Sequence, residues 1–256
     1  MYSVAVNGNI VAENIESTTY EISELKSAGE YFIVVSAYDE SGKLLTESNE
    51  LCTHTNLTVS SNYTLTEDLK VANLYINSGT LDLNGYTLTV DGDVWLASGT
   101  LSINKGKLYV GGNLNLKYSN RNYGYGYLSM QNDEDYVLVN GNMLVSSYYG
   151  DSKLTAGTLE IKGDFTQKTS SYANNFYCSG SHKVVLSGEG LQIVSFDSTK
   201  SQFNILEIQK PLNTGYIINS NTKWNELVEN YLDDSSPAAP TNLQFVRSTS
   251  TSVLMR

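Results

Sequence analysis

Cysteine is nearly missing from this chain: Cys52 and Cys178 are the only two in 256 residues. They stand far apart in no metal-ligand spacing, which excludes a disulfide framework. A single bridge stays open, and two unpaired thiols are the expectation. Basic charge is also scarce, with 16 Lys+Arg against 27 Asp+Glu and a net charge of −11. That argues against nucleic acid and anionic membrane as partners, because both need clustered positive charge. No apolar run approaches the ~18 residues that span a membrane, so no membrane insertion is expected in this segment. The N-terminus from Met1 to Gly8 has neither a basic n-region nor an apolar h-region, so no signal peptide is visible. Proline occurs only three times, whereas tyrosine occurs 19 times and Thr, Asn, Ser and Gly are abundant. That balance reads as all-β with many turns.

What is present is a repeat. Leu-Thr-Val-Asp-Gly-Asp-Val-Trp-Leu at 88–96 aligns with Leu-Tyr-Val-Gly-Gly-Asn-Leu-Asn-Leu at 108–116 and Val-Leu-Val-Asn-Gly-Asn-Met-Leu-Val at 137–145. Leu-Glu-Ile-Lys-Gly-Asp-Phe-Thr-Gln at 159–167 keeps the frame, and Leu69 to Ile76 is one residue shorter. A period of about 20 residues with short apolar alternations predicts a parallel β-helix over residues 56–210. Leu81, Leu83, Leu88, Val90, Val94 and Leu96 should point inward; Thr80, Asp82, Thr87, Thr89 and Trp95 should point outward. Five or six rungs ~4.8 Å apart would give a rod of about 25–30 Å. Asp93 and Asp164 share a column with Asn73, Asn113 and Asn142, an Asx ladder beside a glycine corner. Residues 211–234 are expected to cap the rod, with Leu227, Val228, Tyr231 and Leu232 at the spacing of a short helix.

The flanks differ. Residues 1–55 alternate as strands around an Asn7-Gly8 turn. Leu25, Gly29 and Tyr31, then an alternating strand and the Asp39 to Gly42 turn, resemble the C-terminal half of a fibronectin type III domain. The resemblance implies that Tyr31 is a tyrosine-corner residue, its hydroxyl tied back to the backbone. Residues 235–256, with Pro237, Pro240, Leu243 and Phe245, resemble the linker and first strands of a second such domain. Both termini read as cut from a longer polypeptide. The two partial domains either complete each other or end in frayed segments.

The chain leaves the rod repeatedly through one corner, and stacked rungs place those excursions side by side. They carry Tyr118, Asn120, Tyr123, Tyr125, Tyr148, Tyr149, Tyr172, Asn175 and Tyr177, the candidate ligand-binding ridge. Aromatic faces among amide groups suit stacking on sugars or adaptable protein recognition; they also suit packing over rung edges. Outward acids (Asp82, Asp91, Asp93, Glu160, Asp164) are scattered, so no acid/base pair stands out. Asp133-Glu134-Asp135 offers oxygen donors to Ca²⁺, but no glycine-anchored ligand loop surrounds it, so a solvated turn is expected and no cofactor. Cys178 and His182 invite a nucleophile pair with nothing nearby to orient it. Thr87-x-Thr89 resembles ice-binding β-solenoids, but Lys107-x-Tyr109 in the next unit breaks the array.

The repeat phrases are similar to β-helical segments of large bacterial secreted and cell-surface proteins. The resemblance implies an extracellular, non-enzymatic structural or adhesive module, with glycan or a cell-surface protein as partner. The alternative is a polysaccharide-active β-helix enzyme (lyase or glycoside hydrolase) or its accessory carbohydrate-binding domain.

Overall fold

The computed structural model describes residues 1–118, 120–148, 153–169, 172–211 and 214–231, together with the backbone of Phe245–Arg247 and Val253–Met255. Among these residues every regular element is a strand. Three parallel sheets of eight, eight and five strands enclose one apolar interior. One rung shows how. Thr80–Asp82, Thr87–Val90 and Val94–Leu96 each belong to a different sheet. The next rung, Ser98–Ser102, Lys107–Val110 and Leu114–Leu116, lies beside it with like facing like. Thr87 pairs with Lys107 and Leu88 with Leu108, so alternation along each strand becomes columns along the rod.

The six residues expected to point inward between Leu81 and Leu96 are all completely buried. Leu88, Leu108, Val137, Leu159, Val184 and Leu206 form one continuous column through successive pairings. Each fully buried aliphatic side chain of this kind contributes about 1.5–3 kcal/mol. Beyond Lys153–Leu154 the third sheet thins to single bridges, Leu154 with Cys178 and Tyr177 with Gln202. Aromatic bulk fills the wider interior there. Phe165 packs on Phe176, Phe196 and Phe203 at ring distances of 4.8, 5.1 and 5.2 Å.

The corner between the two eight-stranded sheets holds the register. Asn73 Oδ1 accepts a hydrogen bond from the Asp93 amide at 2.8 Å, and Asp93 Oδ1 accepts from Asn113 at 2.7 Å. Asn113 Oδ1 takes the Asn142 amide at 2.8 Å, Asn142 Oδ1 that of Asp164 at 2.7 Å, and Asp164 Oδ1 that of Ile193 at 2.8 Å. Each side chain therefore satisfies an amide one rung along, at the place where sheet bonding is interrupted by the turn. The preceding glycine is a steric necessity. A Cβ on Gly112 would sit 2.3 Å from Asp93 Oδ1 and 2.9 Å from the Gly92 carbonyl. At the Gly188 turn the device changes. Lys210 is buried and donates from Nζ to the carbonyls of Gly188 and Gly190 and to Gln192 Oε1. Burial pulls its ammonium down to about 8, and the three oxygens solvate the charge it carries at neutral pH.

Residues 226–229 correct the helix expectation. Glu226–Glu229 is a strand pairing with Ile205–Ile208, and Leu227 faces Leu206. The last rung presents a row of unpaired amides and carbonyls, and a strand satisfies them where a helix would not. Leu232 lies outside the described residues. The rung stacking thus runs past residue 210.

The N-terminal segment is an antiparallel sheet in the order Asn9–Ile15, Tyr2–Val6, Glu30–Tyr38, Leu44–Glu47, with Leu51–His54 also pairing Glu30–Tyr38. The Tyr31 hydroxyl accepts a hydrogen bond from the Lys26 amide at 2.7 Å, the tie that its resemblance implies. Phe245–Arg247 and Val253–Met255 form an antiparallel hairpin with each other. Among the described residues neither of them pairs with a strand of the N-terminal sheet.

Asn113→Ala removes one rung of the corner ladder and leaves the Asn142 amide without its acceptor. Stability should fall by about 1–2 kcal/mol, read as a lower urea midpoint with an unchanged slope. A loss under about 0.5 kcal/mol, the range of neutral surface changes, would show that the ladder does not hold the register.

Candidate functional site

The excursions from adjacent rungs do meet. Gly124 donates its amide to the Ser146 carbonyl at 2.9 Å, and Tyr148 donates to the Gly124 carbonyl at 2.7 Å. Gly124 has no room for a side chain, because a Cβ would come within 2.6 Å of Lys117 Cα. This seam brings four of the expected rings together. Tyr123 and Tyr148 lie 4.6 Å apart between centroids, Tyr125 and Tyr148 5.2 Å, Tyr123 and Tyr125 6.0 Å, and Tyr118 and Tyr125 6.3 Å. The arrangements are tilted or edge-to-face, which is where ring quadrupoles attract.

A cation completes the cluster. The Arg121 guanidinium sits 5.1 Å from the Tyr118 ring centre and 6.0 Å from that of Tyr123. Lys117 extends the motif, its ammonium 5.2 Å from the Trp95 ring and bonded to the Arg121 carbonyl at 3.1 Å. Arg121 and Lys117 fall outside the Tyr/Asn pattern that marks the ridge in the sequence, and Trp95 is the outward residue expected of its strand. The signal was available: a basic residue inside a Tyr/Asn loop is an obvious partner for ring faces. Asn120, Arg121, Asn122 and Tyr125 are exposed, while Tyr118, Tyr123 and Tyr148 are half-buried. The surface is therefore an open aromatic platform with amides at its rim.

The remaining candidates divide. Tyr172 and Tyr177 are exposed on a later excursion. Asn175 is buried, and its amide is committed to the fold: Nδ2 donates to the Ser147 and Lys168 carbonyls, and Oδ1 accepts from Gln167 Nε2 at 2.6 Å. It pins the excursion down. Tyr149 lies outside the described residues.

Several acidic groups of the rod are individually engaged. Asp135 is buried, and its carboxylate takes the amides of Lys105, Gln131 and Asn132. Asp82 accepts from the Asn84 amide and from Asn104 Nδ2. Glu160 accepts from the Tyr136 hydroxyl at 2.5 Å and from Ser187 at 2.6 Å. Burial and that carboxylate together hold the Tyr136 hydroxyl well above the ordinary tyrosine range. Glu207 is bound by Lys183 at 2.8 Å, which holds its carboxyl below the ordinary range.

Cys178 and His182 are both completely buried. Burial pushes the thiol up and pulls the imidazole down to about 3, opposite to the charged pair that thiolate chemistry requires. Neither ring nitrogen of His182 has a hydrogen-bond partner.

Three parallel sheets stacked rung on rung, with the excursions gathered on one side, define a solenoid repeat scaffold. A family model described as "Putative Ice-binding-like adhesive domain" matches residues 79–236, well over half the chain. The chain belongs to that adhesive-domain family. No curated protein and no solved structure matches it. The register places Lys107 beside Thr87 and Tyr109 beside Thr89, so this face carries no regular threonine array. Among the described residues no helix is long and apolar enough to cross a membrane.

His182 makes the fold sensitive to acid. Its folded pKa lies below the unfolded value, so unfolding takes up a proton as pH falls. Its contribution to stability is complete above pH 6.5 and is lost progressively as pH falls towards 3. His182→Leu should flatten the acid limb of a stability–pH profile without lowering stability at pH 7, since it also removes two unbonded nitrogens. An acid limb identical to that of the parent would reject this assignment.

Proposed function

We propose that this chain is a non-enzymatic adhesive module of a bacterial extracellular or cell-surface protein, and that its tyrosine ridge binds glycan. The observation that carries this reading is the cluster of Tyr118, Tyr123, Tyr125 and Tyr148 around Arg121 on adjacent turns. Ring faces stack on the C–H-rich faces of sugars, and the rim amides of Asn120 and Asn122 supply hydrogen bonds to hydroxyls. Membership in an adhesive-domain family supports the same class. The rod serves as spacer and as rigid support, since every ridge loop starts and ends on a paired strand or bridge.

The N-terminal sheet reads as part of a fibronectin type III-like spacer, a reading supported by the Tyr31–Lys26 tie. The enzyme alternative gains no support from the outward carboxylates, because each of Asp82, Asp91, Asp93, Glu160 and Asp164 is bonded to a neighbour.

A glycan array probed with the chain and with a Tyr123→Ala/Tyr125→Ala/Tyr148→Ala variant tests this. Saturable binding should weaken at least about tenfold, equivalent to 1.4 kcal/mol, while the thermal midpoint changes little. Absence of saturable binding by the parent chain, or equal binding by the variant, removes the ridge as the recognition surface.

A further inference from the structure

A second cluster lies where the antiparallel sheet meets the rod. His54 and Cys52 are two residues apart on one strand and so share a face, and Glu30 stands opposite His54 on the neighbouring strand. Cys52 Sγ is 3.6 Å from Glu30 Oε1, and His54 Nε2 is 3.4 Å from the same oxygen. One ligand atom from each of the three residues lies within 4.8 Å of the others. In a tetrahedron with metal–nitrogen and metal–oxygen bonds near 2.0–2.1 Å and metal–sulfur near 2.3 Å, ligand atoms stand about 3.3–3.6 Å apart. The two measured edges have that length.

The imidazole is the second sign. The His54 side chain is only 7% exposed, yet Nε2 and Nδ1 stand 3.4 and 3.7 Å from carboxylate oxygens. Those separations are too long for good hydrogen bonds. Nδ1 faces Asp91 Oδ2, at the turn after Thr87–Val90 of the rod. Asp91 is itself held by Lys70 at 3.1 Å. A carboxylate behind the far nitrogen of a histidine is the arrangement that fixes the ring of a metal ligand and raises its basicity. A coordinating thiol is deprotonated by the cation it binds.

We propose that Glu30, Cys52 and His54 bind one divalent transition-metal ion, zinc by preference, with Asp91 as the positioning residue. The mixed sulfur, nitrogen and oxygen donor set suits a borderline-soft ion rather than Ca²⁺ or Mg²⁺. Three protein donors leave a fourth position for water or a donor from a partner molecule. Because Asp91 belongs to the rod, the ion also fastens the antiparallel sheet to the first rungs.

The test is titration of the whole chain with Zn²⁺ by calorimetry and with Co²⁺ by absorption, under a phosphine reductant. One equivalent should bind, with a thiolate-to-cobalt charge-transfer band. Cys52→Ser should abolish that band, and His54→Gln should weaken binding by at least about 100-fold. Asp91→Asn should keep the band and weaken binding by about 10–100-fold. Cys178→Ser, which alters only a buried thiol, should bind like the parent. Circular dichroism checks that each variant is folded; Cys52 is exposed and makes a mild replacement. No saturable binding by the parent, or undiminished binding and an undiminished band in folded Cys52→Ser, overturns the proposal.

Discussion

The structure depends on the corner where a glycine precedes an Asx residue. A parallel rod gains its energy from apolar columns, but those columns are permissive, because Leu, Val and Ile stack in any register that keeps the alternation. The corner is not permissive. An Asx side-chain oxygen must reach the amide of the next rung, and from Gly92 onward the glycine beneath it must lack a Cβ, as the contact between Gly112 and Asp93 Oδ1 shows. Each rung is therefore keyed to its neighbour by a polar contact of fixed direction. The chain can leave elsewhere for a long excursion and still return in frame.

That division of labour explains where variation is tolerated. The Asn113–Asn142 and Asp164–Ile193 steps each span 29 residues, whereas Asn73–Asp93 and Asp93–Asn113 span 20, yet the ladder geometry is the same. The extra residues leave between the third strand of one rung and the first strand of the next, and stacking sets them side by side. An aromatic seam forms there because Tyr123, Tyr125 and Tyr148 arrive on neighbouring turns. Where an excursion replaces part of a wall, large side chains take over: the phenylalanine cluster fills the widened core, and Asn175 ties the loop to Gln167, Ser147 and Lys168.

Two surfaces of different chemistry result. The ridge is broad, aromatic and open, suited to many weak contacts with an extended partner. The cluster at Glu30, Cys52 and His54 is compact and convergent, suited to a single ion. The first faces outward, and the second lies between the sheet and the rod.

Much of this was determined by the sequence alone. The period, the buried columns, the Asx corner and the tyrosine-rich loops are local properties, legible because strand alternation and turn chemistry act within a few residues. Tertiary structure decided the rest. Glu226–Glu229 is a strand because the open edge of Ile205–Ile208 outweighs the local helical spacing, and Asn175 faces inward because Gln167 waits for it. His54 reads in isolation as a lone polar histidine; strand pairing brings Glu30 opposite it, and rung stacking brings Asp91 behind it. Sequence specifies what each short segment will do on its own, but which segments meet is set by the register of a whole assembled rod.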